Sequence, residues 1–304
     1  MIYPDTDPLV CIIIVNYNGW RDTIDCIESI RCNSYPNYKI IVVDNFSTDE
    51  SSSILNRLED NSRIYFIQSN ENNGFSAGNN IGIKKAVELG ADFFMLLNND
   101  TLVTKDFLTN LIISYKKTGI PSSIFTGLIL YEKNRNQIWY AGGSYNKNTA
   151  LTKHFYMNQT INENELGKME VSFISGCEML CPISVIEDVG YMDDDYFLYA
   201  EDVDYCCRLS LNGYRLFFEP MSVIFHKVSA STSKISSASQ YYSVRNRRLL
   251  IKKNMAFPHS LIALIFTDIQ TIHRLAQGKL TWKCVKSGLL DYYLGKTGKC
   301  ERAF

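Results

Sequence analysis

Apolar and polar residues come in blocks along the first hundred positions, and the blocks have the lengths of strands and helices. Val10-Cys11-Ile12-Ile13-Ile14-Val15 is apolar without a break and stops at Asn16-Tyr17-Asn18-Gly19. An unbroken run of this length predicts a strand buried on both faces of a parallel sheet. Ile24, Ile27 and Ile30 then recur at helical spacing, predicting a helix to about Arg31. Tyr38 to Val43 repeats the strand pattern and ends at Asp44-Asn45, after which Ser47, Thr48 and Asp49 offer caps for a helix near Ser51 to Leu58. Ile64 to Ile67 is a third strand, followed by the loop SNENNGFSAGNN and a helix near Ile81 to Leu89. Phe93 to Leu97 is the fourth, and the chain turns polar at once at Asn98-Asn99-Asp100. This alternation predicts an α/β fold: a mostly parallel central sheet, right-handed crossovers and helices on both faces.

Beyond Thr104 the pattern loosens. A helix is expected over Asp106 to Lys116, strands at Ile124 to Tyr131 and Ile138 to Gly143, and a polar loop or flap from Tyr145 to Lys168. Phe173 to Leu180 reads as a strand with a bend, and Ile183 to Val189 as a short helix. Asp202 to Leu211 is a helix stopped by Gly213, with Asp204 four residues before Arg208 in the order that favours a helix-surface ion pair. Tyr214 to Glu219 and Ser222 to His226 read as two more strands. A Ser/Thr/Ala-rich stretch (229–239) precedes a basic helix, Tyr241 to Asn254, and the short apolar run Leu261 to Phe266. That run is too short to span a bilayer; it suits either the membrane interface or a core helix packed on the main domain. The expected organisation is a main domain over 1–228, with a nucleotide-binding half (1–101) and a sugar and acceptor half (102–228), then a helical extension over 229–304.

Charge changes the picture of that extension. The net charge of the 304-residue chain is −1, yet residues 227–304 hold 14 Lys+Arg against 3 Asp+Glu, and the remaining 226 residues hold 17 against 29. A basic tail on an acidic body suggests an anionic partner, a membrane surface, a pyrophosphate-linked lipid or, on charge alone, nucleic acid; the alternative is a solvated tail that balances the body. Nucleic acid is not the expected partner. Nine cysteines without a C-x-x-C pair fit a reducing compartment. The N-terminus MIYPDTDPLV lacks the basic start and apolar core of a signal peptide, and no stretch reaches 18 apolar residues. The expected location is therefore cytoplasmic, peripheral on the inner face of the plasma membrane.

The polar strand ends carry the candidate chemistry. In open α/β sheets ligands bind outside the carboxyl ends of the strands. Asn16, Asn18, Asp44, the loop holding Asn73, Gly78 and Asn79, and Asn98 to Asp100 all fall there, and are expected to gather around one nucleotide. Asp44 suits a base N–H, or an Asx turn with Asn45 and Ser47. Gly78 would let a backbone approach the ligand closely. Asp100 suits Mg²⁺ or Mn²⁺ carrying a diphosphate, or else NNDT is an ordinary turn with a helix cap. G-x-G-x-x-G and G-x-x-x-x-G-K are both absent, which removes the dinucleotide and P-loop readings. A second cluster, DDDYFLYAEDVDYCCRL, interleaves Asp193, Asp194, Asp195, Glu201, Asp202 and Asp204 with aromatic residues. Semi-buried aromatics beside a carboxylate raise its pKa towards that of a useful base, whereas a solvated acidic surface would leave it ordinary. His226, at a strand end, is either structural or a second metal ligand.

Taken in order, VCIIIVNYNGW, IIVVDNFSTDES, NENNGFSAGNN, FFMLLNNDT, ISGCEML, GYMDDDYFLYAEDVDYCCRL and FHKVSAST resemble the inverting family 2 glycosyltransferases with the GT-A fold. The tail segments YYSVRNRRLLIKKN and GLLDYYLGKTGK look most like the bacterial rhamnosyltransferase branch. The resemblance implies that Asp44 reads the base, that Asp100 binds the metal with His226, and that Asp202 of the Glu201-Asp202 pair is the catalytic base. It also implies that the backbone at Gly176 and Cys177 lines the sugar pocket. Asn98 departs from the family's Asp-x-Asp pattern and removes one charge. The implied reaction moves a sugar, rhamnose from dTDP-rhamnose in the favoured case, to a hydroxyl of a cell-surface glycan precursor on a polyprenyl-pyrophosphate lipid. A UDP-galactose, UDP-glucose or UDP-N-acetylhexosamine donor is the alternative. A non-catalytic glycan-binding or partner subunit has only Asn98 in its favour, and a nucleotidyltransferase lacks its phosphate loop.

Overall fold

The computed structural model describes residues 7–162, 165–228 and 236–302. Four strands, β1 (Val10–Asn16), β2 (Tyr38–Asp44), β3 (Ile64–Gln68) and β4 (Phe93–Leu97), alternate with α1 (Trp20–Arg31), α2 (Ser51–Leu55) and α3 (Gly74–Glu88). The β1–β2, β2–β3 and β1–β4 pairs are all parallel. Every residue of β4 is buried, as its unbroken apolar run requires. The second half adds β5 (Thr101–Val103), α4 (Phe107–Thr118), β6 (Ser123–Tyr131), β7 (Asn134–Tyr140), β8 (Gly143–Asn146), β9 (Leu151–His154), β10 (Met169–Val171) and β11 (Glu178–Pro182). After them come α5 (Val185–Asp188), α6 (Glu201–Leu211) and β12 (Arg215–His226). The extension is α7 (Ser237–Asn254), α8 (His259–Ala276) and α9 (Trp282–Tyr293).

The α/β fold is as expected, but the sheet is mixed. Its order is β10-β12-β6-β11-β4-β1-β2-β3, with β11 antiparallel to both β4 and β6 and β12 parallel to β6. An apolar run reports burial on two faces and not direction, so the reversal at β11 left no mark in the pattern. The two strands expected over 214–226 are one, with a register shift between Glu219 and Val223. Pro220 lies in that interval and has no N–H for the ladder. The polar stretch from Tyr145 is partly ordered as the β8–β9 hairpin.

Helix α3 starts seven residues earlier than Ile81. Its Gly/Ser/Asn-rich first turns looked like loop, but small residues are what its packing needs. A Cβ on Gly78 would lie 2.8 Å from Val15 Cγ1 of β1. Gly78 therefore brings the helix close to the sheet. Gly74 has φ +93°, and a Cβ there would lie 2.1 Å from the Phe197 carbonyl oxygen. Phe75 N–H donates to that same oxygen at 3.0 Å. Gly74→Ala is accordingly expected to cost about 3 kcal/mol or more, from positive φ plus a backbone collision, and to lower the melting temperature by roughly 5–10 °C. Thermal unfolding checks this; an unchanged midpoint would show that the α3–Phe197 contact is loose.

Two cations of the basic helix turn inward, while Lys252 and Lys253 at its end are exposed. Arg245 and Arg248 on α7 are only 1% and 2% exposed. Arg245 donates to Asn246 Oδ1, Tyr241 Oη and the Gly298 carbonyl, and Arg248 pairs with Asp268 of α8. Arg247 donates to Gln270 and the Thr149 carbonyl, and Lys253 bridges Asp193 and Asp195. Arg247 and Lys253 staple the extension to the body, while Arg245 and Arg248 hold the extension together internally. The stretch 229–235, with the end of FHKVSAST and the expected domain boundary, lies outside the described residues, as does the N-terminal segment 1–6.

Candidate active site

The strand ends do gather. Asn16 and Asp44 sit side by side in the β1–β2 register, and Asn16 Nδ2 donates to Asp44 Oδ1 at 2.7 Å. Asp44 is fully buried, and its carboxylate also accepts from Ser47 Oγ, Ser47 N–H and Gln68 Nε2. Four donors satisfy it, and the two from Ser47 are the Asx turn that the sequence offered beside base recognition. Gln68 is the exposed member of that set. Asn18 ties the loops after β1 and β2 together, with its Oδ1 accepting from Thr48 N–H at 2.7 Å and its N–H donating to Ser47 Oγ. Thr23 Oγ1 donates to Asn16 Oδ1 and accepts from Asn99 Nδ2, which extends the network to the end of β4. Asn99 is thus a structural bridge to α1. Asn98 donates its N–H to the Cys177 carbonyl and gives its own carbonyl to Thr101.

Two expected contacts turn elsewhere. Asn79 is buried and its side chain bonds the Phe75 carbonyl within α3, while Asn73 is exposed at the helix start. Gly78 lies beside Asn45, whose N–H donates to the Asn16 carbonyl at 2.8 Å.

Asp100 and His226 do meet. His226 Nε2 lies 3.1 Å from Asp100 Oδ1, although 126 residues separate them. The β5–β12 pairing, in which His226 is opposite Thr101, puts them there. Trp139 holds the imidazole edge-on at 4.6 Å, and His226 Nδ1 is buried without a hydrogen-bond partner among the described residues. No group of three His, Cys, Asp or Glu able to hold a metal occurs among the described residues. One carboxylate and one imidazole form a donor set that fits Mn²⁺ better than the all-oxygen preference of Mg²⁺, with remaining positions left to a diphosphate and water.

Asp202 stands at the start of α6. Tyr199 and Ala200, at φ 69° and 76°, form a left-handed corner just before it. Asn246 of α7 is fully buried and donates to the Leu198 and Tyr199 carbonyls, holding that corner. Asp202 Oδ2 accepts from Gly176 N–H at 3.2 Å and Oδ1 from Val203 N–H at 2.8 Å. The Gly176-Cys177 backbone thus joins Asp202 to Asn98; the Cys177 side chain is buried and faces away from solvent. The other acids of the cluster are structural. Asp194 accepts from Asn80, Asp193 and Asp195 pair with Lys253, and Asp204, buried rather than on the helix surface, pairs with Arg208 at 2.9 Å.

Burial raises the Asp202 pKa above its ordinary value, against the pull of its two N–H donors, although the side chain keeps a partial opening to solvent. Burial first, and the Asp202 charge second, push Glu201 up to about 8, and its Oε2 has no hydrogen-bond partner among the described residues. Burial beside a second carboxylate thus favours the protonated form of Glu201. A raised folded pKa contributes stability that is fully present below the unfolded carboxylate range and lost as pH rises through about 8. Glu201→Gln should raise the melting temperature at pH 9 by a few degrees and flatten its decline between pH 5 and 9. Glu178, pushed to about 7 by burial, keeps part of the slope. A wild-type slope in the variant would mean that Glu201 titrates normally.

Sequence reasoning missed Thr23, Gln68 and Trp139, polar or aromatic residues that each act on a neighbour far away in the chain.

The family model for glycosyl transferase family 2 matches residues 11–190. The low-salt glycan biosynthesis hexosyltransferase Agl10 of Haloferax volcanii is 26% identical over 301 residues, covering 96% of this chain and 93% of that protein. The poly-β-1,6-N-acetyl-D-glucosamine synthase of Staphylococcus aureus (strain COL) is 24% identical over 86% of this chain, which spans only 61% of that relative. Among solved structures, the mannosyltransferase PcManGT of Pyrobaculum calidifontis, in complex with GDP-Man and Mn²⁺, superposes with a TM-score of 0.60 at 14% identity, covering 96% of this chain and 89% of that one.

Proposed function

The chain belongs to glycosyl transferase family 2, and on that premise we propose that it moves a sugar from a nucleotide-sugar to an acceptor hydroxyl with inversion at the anomeric carbon. The observation that carries the reading is Asp202: a carboxylate open on one side, at the start of α6 and one hydrogen bond from Gly176. Gly176-Cys177 leads directly to the strand end that bears Asp100 and His226. Asp202 takes the proton of the acceptor hydroxyl as that oxygen bonds to the anomeric carbon. The bond from that carbon to the phosphate oxygen breaks, the nucleoside diphosphate leaves with the electron pair, and Asp202 later gives its proton to water. Asp44, Asn16 and Ser47 shape the floor under the base, and Asp100 and His226 would hold Mn²⁺. Such an ion, when bound, supplies positive charge against the leaving diphosphate.

The donor we favour is dTDP-rhamnose, supported by the resemblance of the tail segments to rhamnosyltransferases. A UDP-hexose or UDP-N-acetylhexosamine is the second reading, favoured by the names of the two curated relatives. The acceptor we propose is a cell-surface glycan precursor on a polyprenyl-pyrophosphate lipid, which suits the excess of basic residues in 227–304. A panel of nucleotide-sugars with Mn²⁺, scored by thermal shift and donor hydrolysis, tests this. Greatest turnover of dTDP-rhamnose supports the first donor and of a UDP-sugar the second. No shift and no hydrolysis with any donor would overturn the transferase reading.

A further inference from the structure

Helix α8 is built with its polarity inverted. Ala263, Thr267 and Thr271, four residues apart, are its buried positions, set against the body of the extension. Leu261, Ile265, Ile269 and Ile272, at spacings of four, four and three, form a stripe on the opposite side with Ile262 beside it. That stripe is exposed, Ile269 by 61% and Ile272 by 66%. A surface helix of a globular protein normally turns its apolar stripe to the core and its polar one to water. Over 18 residues the helix is about 27 Å long, so the stripe runs well beyond the size of a scattered surface contact. Phe257 precedes it, and Trp282, Leu290, Tyr293 and Leu294 are exposed along one side of α9.

We propose that this face of α8 and α9 is a docking surface for an anionic phospholipid bilayer, lying in the headgroup layer. The proposal deepens the lipid-linked acceptor reading and rests on it for its purpose. Two observations select lipid as the occupant. Lys279, Lys283 and Lys286 are exposed around the apolar side chains, and none has an ion-pair partner among the described residues. The aromatic members include a Trp and a Tyr, which favour the boundary between acyl chains and headgroups. A two-fold pairing of copies through the same face would set unpaired lysines against one another. No helix among the described residues is long and apolar enough to cross a membrane, so the helix lies on the bilayer. The cations that dock are those of α9 and the turn before it. Arg245 and Arg248 of the basic helix are spent inside the extension.

Co-sedimentation of the full chain with vesicles tests this, using 1:1 phosphatidylglycerol–phosphatidylcholine against phosphatidylcholine alone. The wild type should pellet with the anionic vesicles and far less with the neutral ones. The pair Ile265→Glu and Ile269→Glu should weaken binding at least tenfold, and the pair Lys283→Glu and Lys286→Glu by a similar factor that shrinks at high salt. All four residues are exposed, so donor hydrolysis in each variant reports that the fold is intact. A wild type that stays in the supernatant, or glutamate variants that pellet like it, would overturn the proposal. So would a dimer that Ile269→Glu converts to monomer, since the face would then belong to a second copy. Loss of donor hydrolysis by the wild type itself would sink the transfer reading and leave the vesicle result standing.

Discussion

Asp202→Asn lowers turnover by roughly 10²–10⁴-fold while donor affinity stays within about threefold of wild type. The variant isolates chemistry from structure. Asparagine has the same size, and its carbonyl oxygen can still accept from either Gly176 or Val203 N–H, so the start of α6 keeps a bonded partner. What it cannot do is take a proton from the attacking hydroxyl. A residue needed only for binding would lose affinity instead, and a residue needed only for folding would lose melting temperature. The wild-type pH profile adds a second readout. Burial raises the Asp202 pKa, so turnover should fall on acidification at a pH above the ordinary carboxylate range. Single-turnover rates with saturating donor and acceptor, beside donor binding by calorimetry, separate these outcomes. Near-normal turnover would remove Asp202 from the role.

The strand-end half of this site could be read from the chain because each buried strand is a continuous apolar run with an abrupt polar end. Asn16, Asp44 and Asn98 to Asp100 stand at those ends, and register then brings them together whatever the loops do. His226 joined them through the β5–β12 pairing, which no local pattern shows. The same limit explains the errors. Asparagine at a strand end offers a side chain without saying which way it points, and Asn99 points to Thr23 while Asn79 bonds its own helix. Helix α7 was read by the sign of its residues, but direction depends on acids elsewhere in the chain: Asp268 draws Arg248 inward, and Asp193 and Asp195 draw in Lys253. The stripe of α8 was visible as far as Phe266; its continuation at Ile269 and Ile272 was in the periodicity and unused. That the stripe faces outward depends on α7 taking the small side.

Asp100→Asn and His226→Ala should each reduce Mn²⁺-stimulated transfer on the order of 10²–10³-fold, the effect expected when the charge opposing a leaving diphosphate is lost. The two variants act on one pair of atoms, 3.1 Å apart, so the double variant should lose little more than either single one. Nucleoside binding is the internal control: Asp44 and Asn16 lie at the far end of the Thr23–Asn99 bridge and stay in place, so affinity for the nucleoside without phosphates should not move. Calorimetric titration of Mn²⁺ in the presence of the nucleoside diphosphate should then show a weakened or absent metal signal in both variants. An unchanged Mn²⁺ dependence would place the metal elsewhere and leave Asp100–His226 a structural pair seated on Trp139. Asn98→Asp runs in the opposite direction, because it adds a second carboxylate to the strand end that carries Asp100. Tighter Mn²⁺ binding in that variant would show that the side chain of residue 98 faces the ion, and that Asn98 in the natural sequence trades metal affinity for one less charge beside the donor's phosphates.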